Sequence, residues 1–170
     1  MVILVDESDR MVGTMDKMRA HVSGKLHRAF SVFVFNTKGE LLMQQRASDK
    51  YHSGGKWTNT CCSHPQPGES TLNAAHRRLQ EEMGLKCDLQ YGFNFTYRAA
   101  LANGITEYEY DHVYLGITND IPVPEPTEVA AYEYIRMDLL AEKLFKHPDH
   151  YTEWLKICFE QVMNSYNKIF

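Results

Sequence analysis

Cysteine, proline and tryptophan are all sparse here: four, six and two residues respectively in a chain of 170. Positive charge is not in excess either, with 18 Lys and Arg against 22 Asp and Glu for a net charge of −4. No run approaches the roughly 18 apolar residues that a membrane-spanning helix needs. Each shortage excludes a class. Cys61, Cys62, Cys87 and Cys158 include one vicinal pair and no C-x-x-C, which fits neither a disulfide scaffold nor a zinc knuckle. A net-acidic chain is a poor match to nonspecific nucleic-acid binding, so an anionic ligand needs a local cluster of positive side chains. The start, Met1 to Asp6, turns acidic too soon for a signal peptide, and the expected compartment is the cytoplasm. No nucleic-acid or membrane partner is expected.

What is present is an ordinary globular mix of 44% apolar and 24% charged residues. The length suits one domain over residues 1–170, and the small size suits a monomer. Val2 to Val5 reads as an edge strand. Ala29 to Phe35, the turn Asn36-Thr37-Lys38-Gly39 and Leu41 to Gln45 read as a hairpin. Ser48 to Lys56 reads as a loop. Ser70 to Met83 carries Leu72, Ala75, Leu79 and Met83 at helical spacing, with Ser70 as cap and Gly84 as stop. Asp88 to Tyr97 and Tyr108 to Ile117 read as strands joined around Asn103-Gly104. Pro122, Pro124 and Pro126 mark a loop, and Val129 to Arg136 a strand. Leu139 to Phe145 and Tyr151 to Tyr166 read as helices, with Trp154, Cys158, Val162 and Tyr166 on one face of the second. Many strands with few helices predict a mixed α/β (α+β) layer structure.

The predicted helix at Ser70 to Met83 and its flanks resemble the Nudix box, G-x5-E-x7-R-E-U-x-E-E-x-G-U with U apolar. Glu69, Arg77, Leu79, Glu81, Glu82, Gly84 and Leu85 fit, whereas Ser63 and Arg78 replace a glycine and a glutamate. In Nudix hydrolases the box glutamates hold magnesium on a diphosphate. A guanidinium in place of a carboxylate weakens a multi-metal cluster and supplies donors for phosphate oxygens. That points away from cutting a diphosphate and toward gripping one. Arg78 and Glu82, four residues apart, can pair.

Trp57-Thr58-Asn59-Thr60-Cys61-Cys62-Ser63-His64-Pro65 is the most specific stretch. With Leu26 to Ser31, Phe95 to Ala99 and Glu107-Tyr108-Glu109, it resembles the type 1 isopentenyl-diphosphate isomerases, over nearly the whole chain. That resemblance implies a Nudix fold, with mixed β-sheets packed between helices. It implies conversion of isopentenyl diphosphate to dimethylallyl diphosphate through a tertiary carbocation. An alkene is a very weak base, so the reaction needs an acid on one side, a base on the other and little water. By resemblance Cys62 and Glu109 are that pair, Tyr97 assists the glutamate and Trp154 faces the cation. His21, His27, His64, Glu107 and Glu109 match the metal site, for one divalent ion (Mn2+, Mg2+ or Zn2+). Glu82 matches a ligand of a Mg2+ ion on the diphosphate, and Lys17, Arg46, Lys50 and Arg78 match its contacts. Cys61 reads as packing, and His52, His76, His112, His147 and His150 read as structural. Ser53-Gly54 stands where the family commonly has aromatic-Pro, which implies a differently shaped lid. The competing readings are a nucleoside-diphosphate-type Nudix hydrolase and a catalytically inactive binding module.

Overall fold

Strand β3 (His27–Phe35) has almost no solvent-facing residue, because both of its faces are covered and both of its edges are paired. Its even-numbered residues Phe30, Val32 and Val34 pack under helix α2 (Thr71–Met83). Its odd-numbered residues Phe33 and Phe35 pack under α4 (Glu153–Ile169) and α3 (Met137–Lys146). The two cores are the two sides of one sheet, as the strand's period of two requires. This computed structural model describes the backbone of all 170 residues and every side chain except that of Asn103.

Among the described residues the sheet has nine strands. Strand β1 (Val2–Val5) pairs with β2 (Met11–Met15) and touches β3 at Leu4 and His27. The edge at this end is therefore β2, not the expected Val2 to Val5. Helix α1 (Lys17–Ser23) follows, capped by Asp16 and stopped by left-handed Gly24. Strand β4 (Glu40–Arg46) pairs with β5 (Trp57–Thr58) and β9 (Val129–Arg136). Strands β7 (Leu89–Ala100) and β8 (Thr106–Ile117) form a long antiparallel pair joined by the short turn Ala102–Gly104. Strand β8 then runs parallel to β3 from His27 and Glu109 to Phe35 and Ile117.

The expected hairpin of β3 and β4 holds only at its turn, with Phe35 opposite Leu41. Beyond it the strands part around β6 (Cys61–Ser63), which pairs with Phe30, Ser31 and Val32. Thr60 makes the wedge. Its buried hydroxyl accepts the Val34 N–H at 2.9 Å and donates to the Leu42 carbonyl at 2.7 Å, serving both separated strands. Thr60→Val should cost roughly 2–3 kcal/mol, because it leaves a buried donor and acceptor unpaired. Urea unfolding measures this; a loss below about 0.5 kcal/mol would mean that water replaces the hydroxyl.

Helix α2 begins after Ser70, whose side chain accepts the Asn73 N–H, and ends at left-handed Gly84. Its buried residues are Ala74, Ala75, Leu79, Glu82 and Met83. Leu72 was expected on that face and is instead 37% exposed. The buried arc is centred nearer Ala75 and Glu82, which leaves Leu72 at its margin in the first turn. Among the described residues no helix is long and apolar enough to cross a membrane.

Candidate active site

Strand alternation separates the vicinal cysteines. Cys61 lies beside Val32 and is fully buried in the α2 core, while Cys62 lies beside Ser31 and turns to the other face. Cys62, Phe30, Trp154, Tyr97, Glu107, Glu109 and Asp111 line a cleft of about 350 Å³, counting its mouth. Lys17, Arg46, Tyr51, His52, Ser63 and His64 complete the lining. The polar residues before Cys62 are framework. Asn59 donates to the carbonyls of Val32 and Cys61 and accepts the Trp154 indole N–H at 3.1 Å. Thr58 and Thr152 join hydroxyls at 2.8 Å. These bonds seat the start of α4, and with it Trp154, over the cleft.

Glu107, Glu109 and Asp111 alternate along β8, so all three face the cleft. Tyr97 sits opposite Glu109 across β7 and β8. Its hydroxyl bridges both glutamates, 2.8 Å from Glu109 Oε2 and 3.1 Å from Glu107 Oε2. The other oxygen of Glu109 faces three imidazoles, with His64, His27 and His21 Nε2 at 2.9, 3.4 and 3.9 Å. His21 comes from the short helix α1, His27 from the start of β3 and His64 from just after β6.

These four residues offer ligand atoms that all lie within 4.8 Å of one another. His21 Nδ1 lies 2.7 Å from the Lys17 carbonyl and His27 Nδ1 lies 2.8 Å from the Lys25 carbonyl. A carbonyl only accepts, so both Nδ1 atoms carry a proton, which leaves the Nε2 atoms as the positions that can bind an ion. Those two Nε2 atoms are buried and make no hydrogen bond. Burial holds His64 down to about 3, so its imidazole is neutral, as a ligand must be. The donor set fits a divalent metal ion. Glu107, expected in the same shell, instead belongs to a second group with His21 and His52. Its Oε1 lies 3.1 Å from His52 Nε2.

The electrostatics sort the cleft into proton holders and a proton acceptor. Burial raises the Cys62 thiol well above its usual range, although Arg46 opposes the shift. Burial also pushes Glu109 up, but the imidazoles of His27 and His64 outweigh it and keep the carboxyl ionised. Glu107 is driven up by burial and by the Glu109 charge. Asp111 is raised for the same two reasons, and Ser31 donates to its Oδ2 at 2.8 Å.

The predicted diphosphate contacts divide. Lys17 and Arg46 line the cleft, and the Arg46 guanidinium stands 5.4 Å from the Trp154 ring centre. Arg78 borders an adjoining polar pocket that shares Lys17, Ser63 and His64 with the cleft. The expected pair is made: Arg78 donates to Glu82 at 2.6 Å, and Gln44 donates to the same carboxylate at 3.0 Å. Lys50 lines neither pocket, because it is paired with Glu128. Tyr51, His52 and Asp111 were not foreseen as cleft residues; for Asp111 the i, i+2 spacing after Glu109 was an available signal. The Ser53-Gly54 departure folds the loop back tightly, since a Cβ at Gly54 would stand 2.5 Å from the Ser48 carbonyl oxygen.

Comparison with known proteins places this geometry. The NUDIX domain matches residues 25–155. A Pectobacterium atrosepticum protein named isopentenyl-diphosphate Delta-isomerase is 53% identical over 161 residues, covering 95% of this chain and 90% of its own. The chain belongs to the isopentenyl-diphosphate Delta-isomerase family. Another member, isopentenyl-diphosphate Delta-isomerase 1 of Aromatoleum aromaticum, is 48% identical, covering 95% of this chain and 92% of its own. Solved structures share the fold at lower identity. A Deinococcus radiodurans protein aligns with TM-score 0.79 and 18% identity over 94% of this chain and 97% of its own. A MutT protein from Methanosarcina mazei aligns with TM-score 0.67 and 16% identity over 84% and 94%. The isomerase family thus uses a Nudix framework, as the box and the cysteine motif together imply.

Proposed function

We infer that the protein interconverts isopentenyl diphosphate and dimethylallyl diphosphate. The observation that carries this reading is a protonated thiol and an ionised carboxylate lining one cleft, their proton affinities pushed apart by their surroundings. The Cys62 thiol donates its proton to the terminal methylene of the alkene, leaving a tertiary carbocation. Glu109, oriented by the Tyr97 hydroxyl on its Oε2, accepts a proton from the neighbouring carbon; once the product leaves, Glu109 gives its proton up to solvent and the Cys62 thiolate takes one back, so no proton is gained or lost over the cycle. The two groups rise from one sheet face, on the strands that flank β3, rather than from separate sheets. A substrate lying over β3 meets the thiol on one side and the carboxylate on the other. Trp154 supplies a π face worth roughly 2 kcal/mol to a desolvated cation. With Phe30, Tyr51 and Tyr97 it limits the water that would otherwise quench the cation.

His21, His27, His64 and Glu109, with Glu107 in reserve, would hold a divalent ion, whose positive charge would favour the ionised form of Glu109. Three imidazoles favour Mn2+ or Zn2+ over Mg2+. Lys17, Arg46 and Arg78 grip the diphosphate, and Lys50 joins once parted from Glu128. Glu82 serves the Mg2+ that accompanies the diphosphate. The protein acts in the cytoplasm, where its four free thiols stay reduced, and as a monomer of one domain.

Hydrolysis is the weaker reading. Arg78 stands where the box has a glutamate and pairs with Glu81 and Glu82, so a guanidinium takes the place of one carboxylate of a multi-metal cluster and leaves Glu82 for a single ion. Proton NMR of isopentenyl diphosphate with the protein and Mg2+ in deuterated water separates the two. Deuterium in the methyl group of the product supports isomerisation, and released phosphate with no labelled product rejects it.

The raised thiol sets a pH expectation. A thiol held above its usual value stays protonated as pH rises through that value, so its acid role persists there. Turnover should stay level from about pH 7 to about pH 9.5. A fall centred near pH 8.5 would mean an ordinary, solvated thiol.

A further inference from the structure

His52 lies in the loop between β4 and β5, and neither the proton transfers nor the imidazole cluster uses it. Its side chain is nonetheless buried, at 7% exposure. Its Nε2 lies 3.1 Å from Glu107 Oε1. Its ring stacks near His21, with centres 5.9 Å apart, and meets Trp154 edge-on at 6.2 Å. The loop holds this pose through its backbone: Arg46 donates its guanidinium to the His52 carbonyl at 3.3 Å, and Gly55 N–H donates to the Arg46 carbonyl.

His21, His52 and Glu107 form a ligand-like group of their own. They do not make an independent second ion site. His21 Nδ1 is committed to the Lys17 carbonyl, so His21 has only Nε2 left to bind an ion, and that Nε2 already faces Glu109. His52 is therefore linked to the first cluster through Glu107. Glu107 Oε1 stands 3.1 Å from His52 Nε2 and its Oε2 accepts from Tyr97, which flanks the carboxyl on both sides next to the four-residue group.

We propose that His52 is a positioning residue that holds Glu107 at the edge of the metal cluster through its Nε2. Without that contact Glu107 keeps only the shared Tyr97 hydroxyl and swings more freely. An ion that draws Glu107 in beside the four donors then loses an oriented carboxyl ligand. This inference rests on a divalent ion occupying the His21, His27, His64 and Glu109 group.

The test is calorimetric titration of the metal-free full chain with Mn2+ alone, with circular dichroism as the check on folding. His52→Ala should weaken Mn2+ binding about 10- to 100-fold, the range for partners of metal ligands, and His52→Gln, which can present nitrogen at the Nε2 position, should stay within about threefold of the parent. Parent-like binding by His52→Ala would overturn the inference. So would a His52→Gln variant that folds yet binds as weakly as His52→Ala. If the parent itself binds Mn2+ no better than His64→Ala, the metal reading fails, and this inference falls with it. Parent binding that His64→Ala abolishes and His52→Ala leaves intact removes the His52 role alone.

Discussion

Cys62→Ala should lower isomerisation by about 10³-fold or more while leaving the chain folded, since a positioned acid is worth about 10²–10⁴ and no other thiol lines the cleft. The side chain is half-buried at the cleft wall, so removing its sulfur opens space next to an existing cavity instead of emptying the core. Cys61→Ala should do the reverse. Its sulfur is fully buried against the α2 core, so the change should cost roughly 1 kcal/mol of stability and leave turnover near normal. Steady-state rates and urea unfolding on both variants check the pair. Equal loss of activity in the two would mean that the cleft thiol is not the acid.

Glu109→Gln should have the second large effect, and on three quantities at once. The amide cannot accept a proton, so turnover should fall by about 10³-fold. It is also a poorer ligand, so Mn2+ binding should weaken. Metal-free stability should hold or rise, because the substitution removes a buried charge that otherwise depends on neighbouring imidazoles and the Tyr97 hydroxyl. A variant that loses activity but keeps parent-like Mn2+ affinity would separate the base from the ion. A variant that is strongly destabilised without metal would show that the carboxylate anchors the fold.

Much of the local structure was legible because local rules decide it. Ser70 and Gly84 bracket α2 as cap and stop, and Val129 to Arg136 is a strand between the stated limits. Helix α1 was missed, although Asp16 and Gly24 mark its ends, because seven residues give too little periodicity. That helix carries Lys17 and His21, so part of the site hung on an element the pattern did not show. His52 looked like a bystander because nothing in its neighbourhood says that the loop will fold inward; tight packing of Gly54 on Ser48 accompanies that fold.

Alternation, capping and the order of the motifs are properties of neighbouring residues, and they determine which side chains share a strand face: Cys61 apart from Cys62, and Glu107 with Glu109 and Asp111. Which faces meet is another matter. Thr60 had to part β3 from β4 before β6 could bring Cys62 beside Ser31, and the parallel pairing of β8 with β3 had to set Glu109 next to His27. A slip of one residue in that pairing would turn the carboxylates away from the imidazoles, because side chains alternate sides along a strand. Register between distant strands depends on burying both faces of the sheet at once, and that condition exists only in the folded molecule.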